Sequence, residues 1–404
     1  MGLWSNNAPN IFWKILREFS SQEWDEAVMK AVPVLELSMT SKTISIDEIL
    51  RLVLGEEQFG PDQWQLSQTK RLYYVFKPFI PRGMTRVMRR IYSSRTKQEF
   101  LLHWPIEDRY IRFLREVASQ LMCASQLTDL SFVYFWPNGC RYAFVLTHDV
   151  ETAKGQAFVN RVADLEEGLG FRSCFNFVPE RYPVDRQLLA SLRERGFEVG
   201  IHGLKHDGKL FLDRKTFSYR AKKINDYLKD FGAIGFRSPL THRNPEWMQE
   251  LAIDYDSSFF DSDPYEPIPG GVETIWPFEI GHFIELPYTL VQDYSLMNLL
   301  DGKSPQIWLE KIEFLEKYNG MALLNTHPDY LLIPEYWEIY KLFLEEMKKR
   351  QVYWHALPRD VAAWWRKRAN ANIIAELPDA VGAKILLDGK EVVVEVNSEQ
   401  PRRI

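Results

Sequence analysis

The chain has 404 residues, 46% of them hydrophobic and 26% charged, with a formal net charge of −5. That balance is ordinary for a soluble globular protein and argues against nucleic acid as the main partner. No run of about 18 apolar residues is available to span a membrane, and the three cysteines, Cys123, Cys140 and Cys174, form no Cys-x-x-Cys and cannot all pair, which reads as free thiols in a reducing compartment.

The first residues lack a basic segment followed by an apolar run, so they do not read as a signal peptide. Gly2 would suit myristoylation, but Asn6 stands where Ser or Thr is wanted. Cytoplasmic residence is the expectation. Residues 1–140 form a mainly helical N-terminal region, with an amphipathic helix over 104–121. Between 70 and 97 lie nine Lys or Arg and no acidic residue, interleaved with Tyr73, Tyr74, Phe76, Phe79 and Tyr92. A solvated helix face explains this stretch most simply; peripheral contact with an anionic membrane, or with a phosphate-bearing substrate, is the functional reading.

From 141 the rhythm changes. Short β-rich runs at 141–147, 173–178, 198–202, 233–239, 282–288, 321–327 and 352–357 alternate with helical runs at 155–169, 185–195, 213–230, 245–252, 304–318, 334–350 and 359–369. Such alternation implies parallel strands with right-handed crossovers. About seven units over 141–370 suit a distorted (β/α) barrel within the α/β class, with an open doubly wound sheet as the alternative. The tail, 371–404, carries a β-hairpin signal at 385–396 around Asp388-Gly389. The 13 Trp suit a core before a sugar-lined groove.

In a barrel, chemistry gathers at the C-terminal ends of the strands. The first strand ends in Thr147-His148-Asp149-Val150-Glu151, the third in His202 with His206 four residues on, the fourth in Arg237-Ser238-Pro239, and a late one in Asn325-Thr326-His327. A lone His at such a place is usually a satisfied hydrogen-bonding group. Four strand ends that converge on carboxylates, imidazoles and one Arg are a different matter. Asp149 and Glu151 are two apart and face the same side of an extended chain. Two adjacent carboxylates raise one another's pKa unless a cation intervenes. One divalent metal ion would take one of them as ligand and leave the other as base. Two imidazoles and a carboxylate are a catalytic zinc set, with cobalt or nickel also compatible. His327 could then supply a proton to a leaving amine, and Arg237 could pair with the base. His148 points to the other face and reads as packing. His242 reads as a loop residue, and His103, His282 and His355 have no evident partner.

At these residues the sequence resembles the NodB-like polysaccharide deacetylase family, over about 141–365. Thr147-His148-Asp149-Val150-Glu151 stands for the first family motif, His202-Gly203-Leu204-Lys205-His206 for the second, Arg237-Ser238-Pro239 for the third, Asp256-Ser257-Ser258 with Trp276 for the fourth, and Leu324-Asn325-Thr326-His327 for the fifth. The resemblance implies Asp149 as catalytic base, Glu151, His202 and His206 as metal ligands, Arg237 as partner of the base and His327 as acid. It places Asp256 and Trp276 on the substrate groove; Tyr288 and Asp293, beyond a Pro-rich stretch, are further candidates for its wall. The implied function is removal of an acetyl group from an N-acetylated sugar, with a carbohydrate intermediate, phosphate-linked or not, as partner. Glu151 stands where Asp is usual, and Gly203 where a hydroxyl residue is usual. The alternatives are a C–N hydrolase of the same scaffold acting on a small cyclic amide, and an inactive carbohydrate-binding relative.

Overall fold

The structure, a computed structural model, describes residues 2–37, 44–61, 63–66, 100–371, 382–388 and 391–396. The basic stretch 70–97 lies outside the described residues, as do residues 389–390, which include Gly389 of the expected hairpin signal. No described helix is long and apolar enough to cross a membrane.

The N-terminal region is mainly helical, with helices at Ser21–Ala31, Ile46–Val53 and Arg109–Ala124. Ser20 opens the first of these with a capping box, exchanging bonds with Glu23. The region also contributes one strand, β1 (Asp129–Val133), too short for its alternation to stand out in a mainly helical stretch. The central strand of the main sheet is β2 (Tyr142–Val150), buried along its whole length. A strand buried on both faces, apolar over its first five residues, Tyr142–Leu146, belongs in a parallel sheet covered on both sides.

After β2 come β3 (Cys174–Phe177), β4 (Glu198–His202), β5 (Gly235–Arg237), β6 (Tyr255–Asp256), β7 (Phe278–Ile280), β8 (Phe283–Glu285), β9 (Met321–Thr326) and β10 (Tyr353–His355). Their sheet runs β10-β2-β3-β4-β5-β6-β8-β7, with β9 on β2. Every neighbouring pair is parallel except β7 with β8. The amides of Thr289 and Leu290, just past β8, donate to the carbonyl of Leu323 in β9 at 3.2 and 3.1 Å. The amide of Met321 donates to Ile275 O at 2.8 Å. The two ends of the sheet thus meet, and the architecture is a distorted (β/α) barrel. All seven expected strands have counterparts. The two short additions, β6 and β7, are too brief to show a period of two.

Helices cover the barrel, and their ends carry the expected signals. Thr152, Asp185 and Asp213 cap the helices Ala153–Leu169, Arg186–Glu194 and Arg214–Phe231 through their side chains. The tail forms β11 (Gly382–Asp388) and β12 (Glu391–Val396), paired antiparallel as a hairpin. β11 also pairs antiparallel with β1, so the N-terminal region and the tail share a three-stranded sheet. Glu56, from the N-terminal region, is docked in the barrel wall. It accepts from Arg243 Nε at 2.8 Å and from the amide of Gly271 at 2.8 Å, and both side chains are buried.

Candidate active site

Asp149 is the next-to-last residue of β2, which stops at Val150, and Glu151 follows just past the strand. The loop after β4 then doubles back to bring a second imidazole beside the first. Gly203 turns it at φ +61°, and His206 itself sits at φ +53°. A Cβ on residue 203 would lie 2.4 Å from the ring of Pro239, so both the backbone angle and the space demand glycine there. The ring centroids of His202 and His206 end 5.1 Å apart.

Glu151, His202 and His206 form a cluster whose candidate ligand atoms all lie within 4.8 Å of one another. His206 Nε2 is 2.9 Å from Glu151 Oε1. His202 Nδ1 donates to the carbonyl of Arg237 at 3.1 Å. That bond fixes the tautomer and leaves the lone pair on Nε2, which is buried and has no hydrogen-bond partner. Burial pushes the His202 imidazole down to about 4, against the pull of the Asp149 carboxylate. A neutral, buried, unpartnered imidazole nitrogen beside a second imidazole and a carboxylate fits a divalent metal.

Asp149 lies beside this cluster, 3.9 Å from His202 Nδ1. Its tightest contacts are two amides. Asn176 Nδ2 donates to Oδ1 at 3.0 Å and Asn325 Nδ2 to Oδ2 at 2.9 Å. Arg237 reaches Oδ1 at 3.4 Å, while its Nη1 donates to Thr147 Oγ1 at 2.9 Å and its Nε to Ser257 O at 2.7 Å. Burial would raise the Asp149 carboxyl, but His202, Arg237 and His327 together hold it well below the usual range. Since His202 is neutral above about pH 4, Arg237 and His327 do this at neutral pH. Glu151 is held low as well: burial opposes ionisation, and His206 and His327 outweigh it.

His327 faces both carboxylates, with Nε2 at 3.7 Å from Glu151 Oε1 and 4.0 Å from Asp149 Oδ2. Burial works against its charge, but Asp293, then Glu151 and Asp149, raise it to about 10. It is therefore an imidazolium at neutral pH, with a proton on Nε2 to give. Asp293 opens the π-helical stretch Tyr294–Leu299, a rare form of backbone that recurs at functional sites.

The structure brings together Asp149, Glu151, His202, His206, Arg237 and His327. The three expected groove residues are all buried. Asp256 is fully buried and accepts from Ser258 Oγ at 2.7 Å. Trp276 is packed on Phe135 and donates its indole N–H to Asn319 O at 2.6 Å, within the core. Tyr288 is buried and donates to Glu266 Oε1 at 2.7 Å. His148 is on the opposite face of β2, between Thr326 Oγ1 and Glu166 Oε1, each at 2.7 Å. Its neighbours on that face tie β2 to β9 and to the helix Ala153–Leu169. His355, which has no evident partner in the sequence, bonds Phe144 O and the Arg172 amide. Sequence reasoning missed Asn176 and Asn325. The available signal was one polar residue inside an otherwise apolar strand.

No protein-family model matches the sequence, and no curated protein matches it. Among solved structures, the chain is similar to a protein assigned as a polysaccharide deacetylase from Mycobacterium smegmatis. The identity is 19% and the TM-score 0.48, over 58% of this chain and 93% of that one. It is similar to the Puue allantoinase at 15% identity and TM-score 0.47, over 59% and 94% of the two chains. A protein assigned as a polysaccharide deacetylase from Pseudomonas aeruginosa PAO1 follows at 14% and 0.47, over 57% and 93%. The likeness is one of fold.

Proposed function

We propose that this chain is a metal-dependent hydrolase that removes the acetyl group from an N-acetylated sugar. The observation that carries this reading is the triplet Glu151, His202 and His206, with His202 buried and the other two half-buried, facing the Asp149 carboxylate on one side and the His327 imidazole on the other. The three residues of the triplet would hold one divalent ion, zinc by ligand type. Such an ion lowers the pKa of water and polarises a carbonyl oxygen. Asp149 takes the proton of the attacking water, its carboxylate oriented by Asn176 and Asn325. Arg237 keeps that carboxylate ionised. His327 donates from Nε2 to the leaving nitrogen, and Asp293 on Nδ1 maintains its charge. The motif resemblance supplies the acetamido sugar as substrate. A small or phosphate-linked intermediate, met in the cytoplasm, is the form to try first.

The test joins metal content with acetate release from a panel of acetamido sugars. The expected result is about one zinc-like ion per chain, lost in the His202→Ala, His206→Ala double variant, with acetate released by the wild type alone. Asp149→Asn should keep the ion and lose turnover. Ring opening of a cyclic amide without acetate release would replace the substrate class. Absence of bound metal after zinc addition would sink the hydrolase reading.

A further inference from the structure

β2 stops at Val150 and the next helix begins at Ala153. Glu151 sits between them, past the last β2–β3 register pair, Val150 with Phe177. Its amide therefore has no strand or helix partner. An aspartate just past the neighbouring strand, β9, supplies one. Asp329 Oδ2 accepts from the Glu151 amide at 3.0 Å, and Asp329 Oδ1 accepts from the Thr152 hydroxyl. Thr152 Oγ1 accepts in turn from the amides of Lys154 and Gly155 at 3.2 and 3.3 Å. The carboxylate thus closes a chain of bonds from the first turn of a 17-residue helix to the candidate metal ligand, with its charge at the positive end of that helix. Space has been left for it: a Cβ on Gly155 would lie 2.1 Å from Asp329 Oδ2. Asp329 is two residues past His327, in the short helix Pro328–Leu331.

We propose that Asp329 is a positioning residue, which fixes the main chain of Glu151 and ties this metal ligand to the strand end that bears His327. The proposal rests on the metal reading above. Partners that orient a ligand set affinity for the ion, whereas a merely structural carboxylate sets only stability.

The test measures the Kd for Zn²⁺ against a competing chelator on the full chain, with thermal unfolding of the metal-free protein alongside. The variants are Asp329→Ala, Asp329→Asn and Gly155→Ala. Asp329→Ala should raise Kd about tenfold or more. Asp329→Asn keeps one oxygen for the Glu151 amide and should recover most of that loss. Gly155→Ala should weaken zinc as well, although alanine is the better helix former, because its Cβ displaces the carboxylate. An unchanged Kd in Asp329→Ala overturns the proposal, even with a lowered melting temperature. If that variant does not fold, an unchanged Kd in Gly155→Ala overturns it. A wild type that binds no zinc overturns the metal reading itself, and is thereby distinguished from a failure of Asp329 alone.

Discussion

Asp293 holds His327 at two points, accepting from its main-chain amide and from its ring Nδ1, each at 2.7 Å. The first bond sets where the residue sits, and the second sets which way the ring faces and which nitrogen carries the transferable proton. Asp293→Asn can keep the first and weakens the second, since a neutral amide no longer supports the imidazolium. We expect kcat to fall roughly 10²-fold, the lower range for loss of general acid catalysis. Metal content should match the wild type, because Asp293 touches no member of the triplet. Elemental analysis beside steady-state turnover checks both, and unchanged kcat would remove His327 from the acid role.

Gly203 is the residue that lets the loop after β4 present two imidazoles. Gly203→Ser restores the hydroxyl usual in the resembled motif, yet places a Cβ 2.4 Å from Pro239 at φ +61°. The left-handed angle alone costs about 1–2 kcal/mol for an L side chain. The expected outcome is a lower melting temperature together with weaker zinc binding, since His202 and His206 flank the turn. Equal melting curves would show that Pro239 yields freely.

The residues on the barrel rim were legible because each closes a strand run that the sequence marks with apolar residues. His202, Arg237 and His327 are polar residues at the ends of such runs, and Asp149 with Glu151 follows from the period of two. Asp293 was harder. It lies in an irregular stretch where a π-helical turn gives neither period, so only its place near Tyr288 marked it. Asp256 and Trp276 were put on the groove by motif order alone, with no period behind them. Their side chains are instead satisfied in the core, by Ser258 and by Asn319 O. β1 is missed for a different reason: its alternation, Asp129-Leu130-Ser131-Phe132, lasts only four residues, and its partner, β11, lies about 250 residues further along the chain.

Glu198 should make stability depend on pH. Burial raises its carboxyl to about 7 in the folded protein, against 4.5 for an ordinary glutamate, despite bonds from Tyr255 and the Arg359 amide. A raised folded value means that the native state favours the protonated form. The associated stability is full below about pH 4.5 and is lost as pH rises through about 7. A shift of that size corresponds to about 3 kcal/mol. Glu198→Gln cannot ionise, so its melting temperature relative to wild type should climb between pH 5 and pH 8. Parallel curves would show that the carboxylate is not strained by burial.

The Glu56–Arg243 pair joins the N-terminal region to the barrel without solvent access. Glu56→Ala leaves a buried guanidinium without its carboxylate and the Gly271 amide without its acceptor. We expect a loss of about 3–5 kcal/mol by denaturant unfolding, the range for breaking one side of a buried pair. A loss below about 1 kcal/mol, the level of an exposed pair, would mean that the region docks by apolar contact instead.

The strand pairing of β1 with β11 imposes an order in time. β1 leaves the ribosome about 250 residues before its partner, and at 5–20 residues per second that interval is roughly 12–50 s. Throughout it one edge of β1 presents bare amides and carbonyls, while the bridge from Ile15 to Phe132 covers the other. Another nascent copy could pair with that edge before the tail arrives. The hairpin therefore acts late, as a latch that closes on β1 some 250 residues after it, and slow synthesis should show itself first as aggregation.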